Sequence, residues 1–338
     1  MKCWELEAGS DSFAGLKRVE REMPRPAAGQ VLVKMAAAAL NYRDLMIAQA
    51  RYFRNPVRRS VIPLSDGAGT VVEVGPEVTE FQVGDRVIAT FFQVAPTEPP
   101  NAAPKALGAP LDGTLSEYQV FYERGLVRAP AGLEHRHGAT LPCAGVTAWN
   151  ALLGGGRPVR PGETVLTLGT GGVSSFAILL GRTLGARVLV TSSSDEKLER
   201  ARGLGATHTV NYRTTPAWDE PVLLMTDGRG VDCIVENGGP GTLERSLKCL
   251  AQNGKIAIVG VLAGERDCPS VMPLLMKRGH MHGVYVGERQ ELQDLARAMD
   301  INTIRPVIDR VFGFDEVPAA YEYQSRGQHF GKVVIEIS

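Results

Sequence analysis

The hexapeptide Gly169-Thr170-Gly171-Gly172-Val173-Ser174 stands between an apolar run, Val165-Leu166-Thr167-Leu168, and a helix-like segment from Ser175 to Leu184. A second strand-like run, Arg187 to Thr191, follows and completes a β-α-β unit. Glycines in that setting can bind a dinucleotide. Gly169 permits the tight turn, and Gly171 lets the backbone approach a pyrophosphate resting on the N–H groups that open the helix. Thr170, Gly172 and Val173 complete the cradle, and Ser174 replaces the third glycine, where a small residue keeps helix and strand close. The competing reading is an ordinary Gly-rich turn that binds nothing; the complete unit argues for the dinucleotide.

About 20 residues past such glycines, an acidic side chain usually holds the ribose hydroxyls of NAD. Here Ser192-Ser193-Ser194 follows the second strand, so a 2′-phosphate would meet no repulsion. Lys197 lies one turn into the next helix and Tyr212 follows the next strand. Hydroxyls and a cation suit a phosphate, which points to NADPH over NADH. The plainer alternative makes Ser193 an N-cap with Glu196 closing a capping box, and Lys197 a solvated charge. Asp195 is the rival feature: turned inward, it would bind ribose and favour NAD.

Elements of two kinds must position these residues. Residues 1–125 are punctuated by Gly and Pro and carry short strand candidates at Val31–Met35, Gly69–Gly75 and Gly84–Ala89, with a helix from Asn41 to about Ala50. That pattern suggests a barrel-like antiparallel domain. Residues 92–113 are rich in Pro and Ala and read as a surface loop. Residues 126–285 alternate strand and helix, as a doubly wound parallel sheet requires. Its later strands are expected at Thr207–Val210, Val231–Val235, Lys255–Val259 and Gly283–Val286. Arg289 to Met299 reads as an amphipathic helix, and Lys332–Ile337 as a strand that returns to the N-terminal domain, so that residues 286–338 belong with 1–125.

The bulk composition excludes several classes. With 338 residues there is room for two domains with substantial cores, and 44% apolar residues argue against disorder. Lys plus Arg and Asp plus Glu are 37 each, leaving no electrostatic case for a nucleic acid or an anionic membrane. Cysteines at 3, 143, 233, 249 and 268 form no C-x-x-C pair. Lys2, Glu5 and Glu7 interrupt any secretory apolar region, and no apolar run reaches the ~18 residues of a membrane span. A cytoplasmic, reducing location is expected.

Several segments taken in order resemble the medium-chain dehydrogenase/reductase superfamily, and its zinc-free quinone oxidoreductase-like branch in particular. They are Asn41-Tyr42-Arg43-Asp44, Pro63–Gly69 with Val71-Val72-Glu73-Val74-Gly75, Val83–Val87, Gly145–Trp149, Leu204-Gly205-Ala206, Asn211-Tyr212 and Phe330-Gly331-Lys332-Val333-Val334. The resemblance covers nearly the whole chain. It implies a GroES-like β-barrel catalytic domain, a Rossmann domain, an active site in the cleft between them, hydride transfer from a nicotinamide, and commonly a homodimer. In NADP-dependent relatives a Ser, a Lys and a Tyr at matching places hold the 2′-phosphate, with an Arg near the C-terminus that Arg326 could match. Thr147, Val261 and Leu262 would border the nicotinamide, and Lys332 joins the cofactor-binding set. Asn41 and Asp44 match the family's N-x-x-D element, and Tyr52 stands where related enoyl reductases carry a proton donor. Tyr52 as a packed tyrosine and Asp44 as a structural hydrogen-bonder remain the plain alternatives.

Zinc-dependent relatives carry a Cys where this chain has Asn41 and Gly-His-Glu where it has Leu64-Ser65-Asp66, which leaves only Cys143 of the ligand set. A catalytic zinc normally takes three protein ligands. His280-Met281-His282 and His135-Arg136-His137 lack a third ligand nearby, so no metal site is expected. The implied activity is NADPH-dependent, zinc-independent reduction of quinones or α,β-unsaturated carbonyls. The alternatives are an alcohol dehydrogenase or ketone reductase of the same superfamily, and a non-catalytic NADPH-binding sensor or structural protein.

Overall fold

The computed structural model describes residues 1–52, 55–93, 103–264 and 269–337. The chain forms two compact units, residues 1–146 with 287–338, and residues 147–286.

In the first unit, the long strand Gln30–Ala39 pairs antiparallel with Asp66–Val74, with Tyr118–Tyr122 and with the C-terminal strand Lys332–Glu336. The expected return of the last strand to the N-terminal domain is therefore observed. The sheet has seven strands, and on its far side Arg86–Ala89 pairs with Leu126–Arg128. That pairing carries the chain past residue 125, so the division falls later, after Val146. The helix Tyr42–Ala48 is opened by Asn41, whose backbone N–H donates to Asp44 Oδ2 at 2.7 Å. An acid three residues after the cap is one half of a capping box. The core joins Leu40, Leu45 and Ile47 around this helix to Ile62, Leu64, Leu115 and Ile335 from the strands and loops.

Two further expectations are corrected. The stretch 92–113 is not simply a surface loop: Phe92–Gln93 pairs with Lys105–Ala106, and Leu107 and Ala109 are buried. Residues 94–102 of it lie outside the described residues. The last strand of the second unit is His280–Gly283 rather than Gly283–Val286, and Val286 has φ +60°, a left-handed conformation that ends extended structure.

The second unit is a six-stranded parallel sheet. Its strands stand in the spatial order His208–Asn211, Arg187–Ser192, Thr164–Leu168, Val231–Glu236, Leu250–Ile258, His280–Gly283. In sequence terms this is 3-2-1-4-5-6, the doubly wound arrangement. Thr164–Leu168 is buried along its whole length, which explains its unbroken apolar character. The helix Gly172–Thr183 packs close to the sheet because Gly181 has no side chain: a Cβ there would lie 2.8 Å from Val188 Cγ2. The next helix, Asp195–Leu204, is capped by Ser194, whose Oγ accepts from Lys197 N at 3.3 Å. The N-cap is thus Ser194 and not Ser193. Among the described residues, no helix is long and apolar enough to cross a membrane.

Candidate functional sites in the two units

The second unit holds a cleft of about 370 Å³ at the carboxyl ends of its central strands. Leu168 and Gly169 form one wall, Thr191 and Tyr212 another, and Asn237, Gly238, Thr242 and Leu262 the side across the sheet. This is where the strand order reverses, the position at which open α/β sheets bind ligands. Gly169 has φ +86°, and its N–H donates to Thr191 O at 2.8 Å, so the chain turns sharply out of the strand. Gly171 is the N-cap of the following helix, and the first backbone bond of its opening turn runs from Ser175 N to Gly171 O at 2.9 Å. The amides of Gly172, Val173 and Ser174 precede it and have no carbonyl a turn behind them, as at any helix start.

Ser174 does more than save space. Its hydroxyl donates to Leu168 O at 3.0 Å, and Asn237 Nδ2 donates both to Leu168 O at 2.9 Å and to Ser174 Oγ at 3.1 Å. Asn237 therefore ties the glycine turn to the neighbouring strand. It was absent from the sequence reading; its only signal was a polar residue ending an apolar strand before Gly238-Gly239. The other helix start facing the cleft is closed. The fully buried Glu236 accepts from Gly238 N at 2.8 Å, Gly239 N at 3.0 Å and Thr242 Oγ1 at 2.5 Å, so those amides are not free for a phosphate.

At the end of the second strand, Ser192 is buried and its Oγ accepts from Ser194 N at 3.4 Å. Ser193 and Lys197 are half-buried, and Tyr212 is exposed on the cleft wall. Asp195 is exposed and paired with Asn211, whose Nδ2 donates to Asp195 Oδ1 at 2.8 Å. Arg245 also lines the cleft and is held by Asp219 at 2.5 Å. Of the other expected cofactor residues, Thr170 and Thr147 are buried, Val173 is half-buried and Val261 is exposed. Arg326 is exposed in the first unit, at the C-cap of the helix Val317–Ser325.

The first unit gathers a separate cluster of buried polar side chains: Asn41, Asp44, Ser65, Asp66 and Lys332. Lys332 was expected among the cofactor residues, but its ammonium is directed inward. It donates to Leu40 O at 2.7 Å and Asn41 Oδ1 at 2.5 Å, and lies 3.5 Å from Asp66 Oδ2. Ser65 Oγ donates to Asp66 Oδ1 at 2.8 Å, and Cys143 N donates to Asp66 Oδ2 at 3.3 Å. Burial pushes the Asp44 carboxyl up to about 6, against the opposing pull of Arg43 and of the Asn41 amide. The Arg43 guanidinium sits 5.2 Å from the ring centre of Tyr52 and 4.8 Å from that of Phe91. It donates to Leu107 O at 2.9 Å and Ala109 O at 3.2 Å, and hydrogen-bonds the Tyr52 side chain. Phe53, beside Tyr52, lies outside the described residues.

This donor set does not fit a zinc ion. Asn41 and Ser65 supply an amide and a hydroxyl in place of thiolate and imidazole. Burial holds the Cys143 thiol far above its ordinary range, and Asp66 already faces an ammonium. Among the described residues, no group of three or more His, Cys, Asp or Glu side chains could hold a metal.

Comparison with known proteins agrees with the two-unit arrangement. Residues 27–131 match the alcohol dehydrogenase GroES-like domain, and residues 172–300 match the family described as zinc-binding dehydrogenase. A zinc-type alcohol dehydrogenase-like protein of Schizosaccharomyces pombe is 45% identical over 335 residues, covering 96% of each chain. A 2-haloacrylate reductase of a Burkholderia species is 31% identical, covering 97% of this chain and 96% of its own. The solved structure of an NAD-dependent alcohol dehydrogenase, 28% identical, superimposes over 100% of both chains with a TM-score of 0.90.

Proposed function

Because the chain belongs to the medium-chain dehydrogenase/reductase superfamily and is an NAD(P)H-dependent oxidoreductase, we propose that it uses NADPH to reduce quinones or α,β-unsaturated carbonyls without zinc. The observation that carries this reading is the buried cluster of the first unit. Asn41 and Ser65 stand at the sequence positions matched to metal ligands of zinc-dependent relatives, and an internal ammonium lies against Asn41 and Asp66 beside them. Without a Lewis acid, an alcohol is hard to activate, whereas an acceptor conjugated to oxygen can take hydride and place the charge on that oxygen.

NADPH supplies the hydride when bound. The amides of Gly172, Val173 and Ser174 receive its pyrophosphate, on the turn set by Gly169, Thr170 and Gly171. Ser192, Ser193, Lys197 and Tyr212 receive the 2′-phosphate. Asp195, the acid that would favour NAD, is engaged by Asn211 instead, which supports the NADPH preference. Thr147, Val261 and Leu262 border the nicotinamide. In the first unit, Asn41 donates to the substrate oxygen as charge develops there, and Tyr52 supplies the proton that completes the reduction. Asp44 serves the helix start and not the proton transfer.

The working unit is a homodimer. Among the described residues, the edge strand His280–Gly283 is paired on one side only, and the helix Met272–Met276 buries none of its residues. Met272, Leu275, Met276 and Tyr285 are all more than half exposed. A second copy related by a two-fold axis would cover this apolar face and continue the sheet.

The test is NADPH oxidation against a panel of quinones and enones, with and without chelator, alongside metal analysis and light scattering. Turnover on either class that survives chelation is expected, at dimer mass. No turnover on both classes overturns the reading. The name of the Schizosaccharomyces pombe relative favours one other reading, an alcohol dehydrogenase or ketone reductase, and stoichiometric zinc with chelator-sensitive activity would establish it.

A further inference from the structure

Four buried side chains of the first unit close into a ring, and chemistry fixes the direction of its bonds. A lysine ammonium only donates, and a carboxylate only accepts. Lys332 Nζ lies 2.5 Å from Asn41 Oδ1, so the amide presents its carbonyl to the ammonium and its NH₂ group elsewhere. Asn41 Nδ2 then makes a long bond to Ser65 Oγ at 3.4 Å. Ser65 donates onward to Asp66 Oδ1 at 2.8 Å, and Asp66 Oδ2 returns to the ammonium at 3.5 Å. Ser65 and Asp66 are fully buried, with Lys332 at 3% and Asn41 at 8% exposure, so water does not compete with the ring.

A free carboxamide can turn over with little change in shape. Here the flip would press an NH₂ group against an ammonium at 2.5 Å, so it is forbidden. The amide carries two N–H donors and the ring uses one. We infer that Lys332 is a positioning residue for the reaction, which locks Asn41 so that its spare Nδ2–H is aimed as the donor to the substrate oxygen. The ammonium donates to Leu40 O and Asn41 Oδ1 and pairs with the Asp66 carboxylate at 3.5 Å, so it is engaged inside the cluster and acts on the substrate through Asn41. The inference rests on the reductase reading above and names what orients its oxygen-binding group.

The test is a double-mutant cycle of Lys332→Met and Asn41→Ala, read as kcat on an enone and as Kd for NADPH by fluorescence titration. Removing one preorganised donor commonly lowers kcat by about 10²–10³. Lys332→Met is expected to lose at least about tenfold in kcat with NADPH affinity held within about twofold, and to cost nothing further when added to Asn41→Ala. The charge-balanced Asp66→Asn/Lys332→Met protein runs the same cycle if the single variant does not fold. Weakened NADPH binding with kcat intact would make Lys332 a cofactor contact and overturn the inference, as would losses that multiply in the double variant. An active wild type whose Asn41→Ala variant keeps full rate sinks this inference alone; an inactive wild type sinks the reductase reading with it.

Discussion

Asp44 should make the protein less stable as the pH rises, the reverse of an ordinary salt-bridged carboxylate. Its carboxyl is almost wholly buried at the first turn of the helix Tyr42–Ala48. Burial lifts it from 3.8 to about 6, although Arg43 at 3.6 Å and the Asn41 amide at 2.7 Å pull the other way. The unfolded chain releases this proton near 3.8, whereas the folded chain holds it to about 6. Raising the pH across that window therefore favours unfolding, and the full displacement is worth about 3 kcal/mol. About half of it, about 1.5 kcal/mol, develops between pH 5 and pH 8. Asp44→Asn removes the titration while keeping shape and an acceptor for Asn41 N. In urea unfolding at pH 5 and pH 8, the variant should gain about 1.5 kcal/mol on the wild type over that interval. Its kcat should stay within about tenfold, because the side chain serves the helix start. A difference that does not change with pH, or wild type gaining on the variant as pH rises, would refute the reasoning.

Two substitutions probe the glycine turn. Gly169→Ala places a methyl at φ +86° with no protein atom within 4 Å, so conformational strain of about 1 kcal/mol is its whole cost to the free protein. NADPH affinity should fall more than about tenfold as the methyl meets the ligand, and calorimetry showing an unchanged Kd would remove the dinucleotide from this turn. Asn237→Ala deletes the donors to Leu168 O and Ser174 Oγ, and should lower the unfolding free energy by about 1–2 kcal/mol in chemical denaturation. Thermal shift should also show less stabilisation by NADPH than in wild type.

What could be read from the sequence was local, and what escaped was made by distant partners. The glycine turn declared itself because Gly169 needs a positive φ and its neighbours alternate strand, turn and helix within about 30 residues. The helix from Asn41 was legible as a local segment, whereas the bond from Asn41 N to Asp44 that opens it came only with the structure. The Val284–Val286 run misled because β-branched and aromatic residues describe a half-buried surface as well as a strand, while the true edge strand, His280–Gly283, takes its register from Lys255–Ile258. The ring around Lys332 is the clearest case. Ser65, with Asp66 next to it, sits 24 positions from Asn41 and Lys332 sits 291 positions away, and no spacing rule joins them. A lysine after Gly331 reads as an accessible cation until the backbone carbonyl of Leu40 and the Asp66 carboxylate are placed around it. Only a closed set of acceptors keeps an ammonium in a core. The same burial that hid Lys332 from the sequence is therefore what makes its hold on Asn41 firm, and removing Lys332 should be felt first in the orientation of that amide.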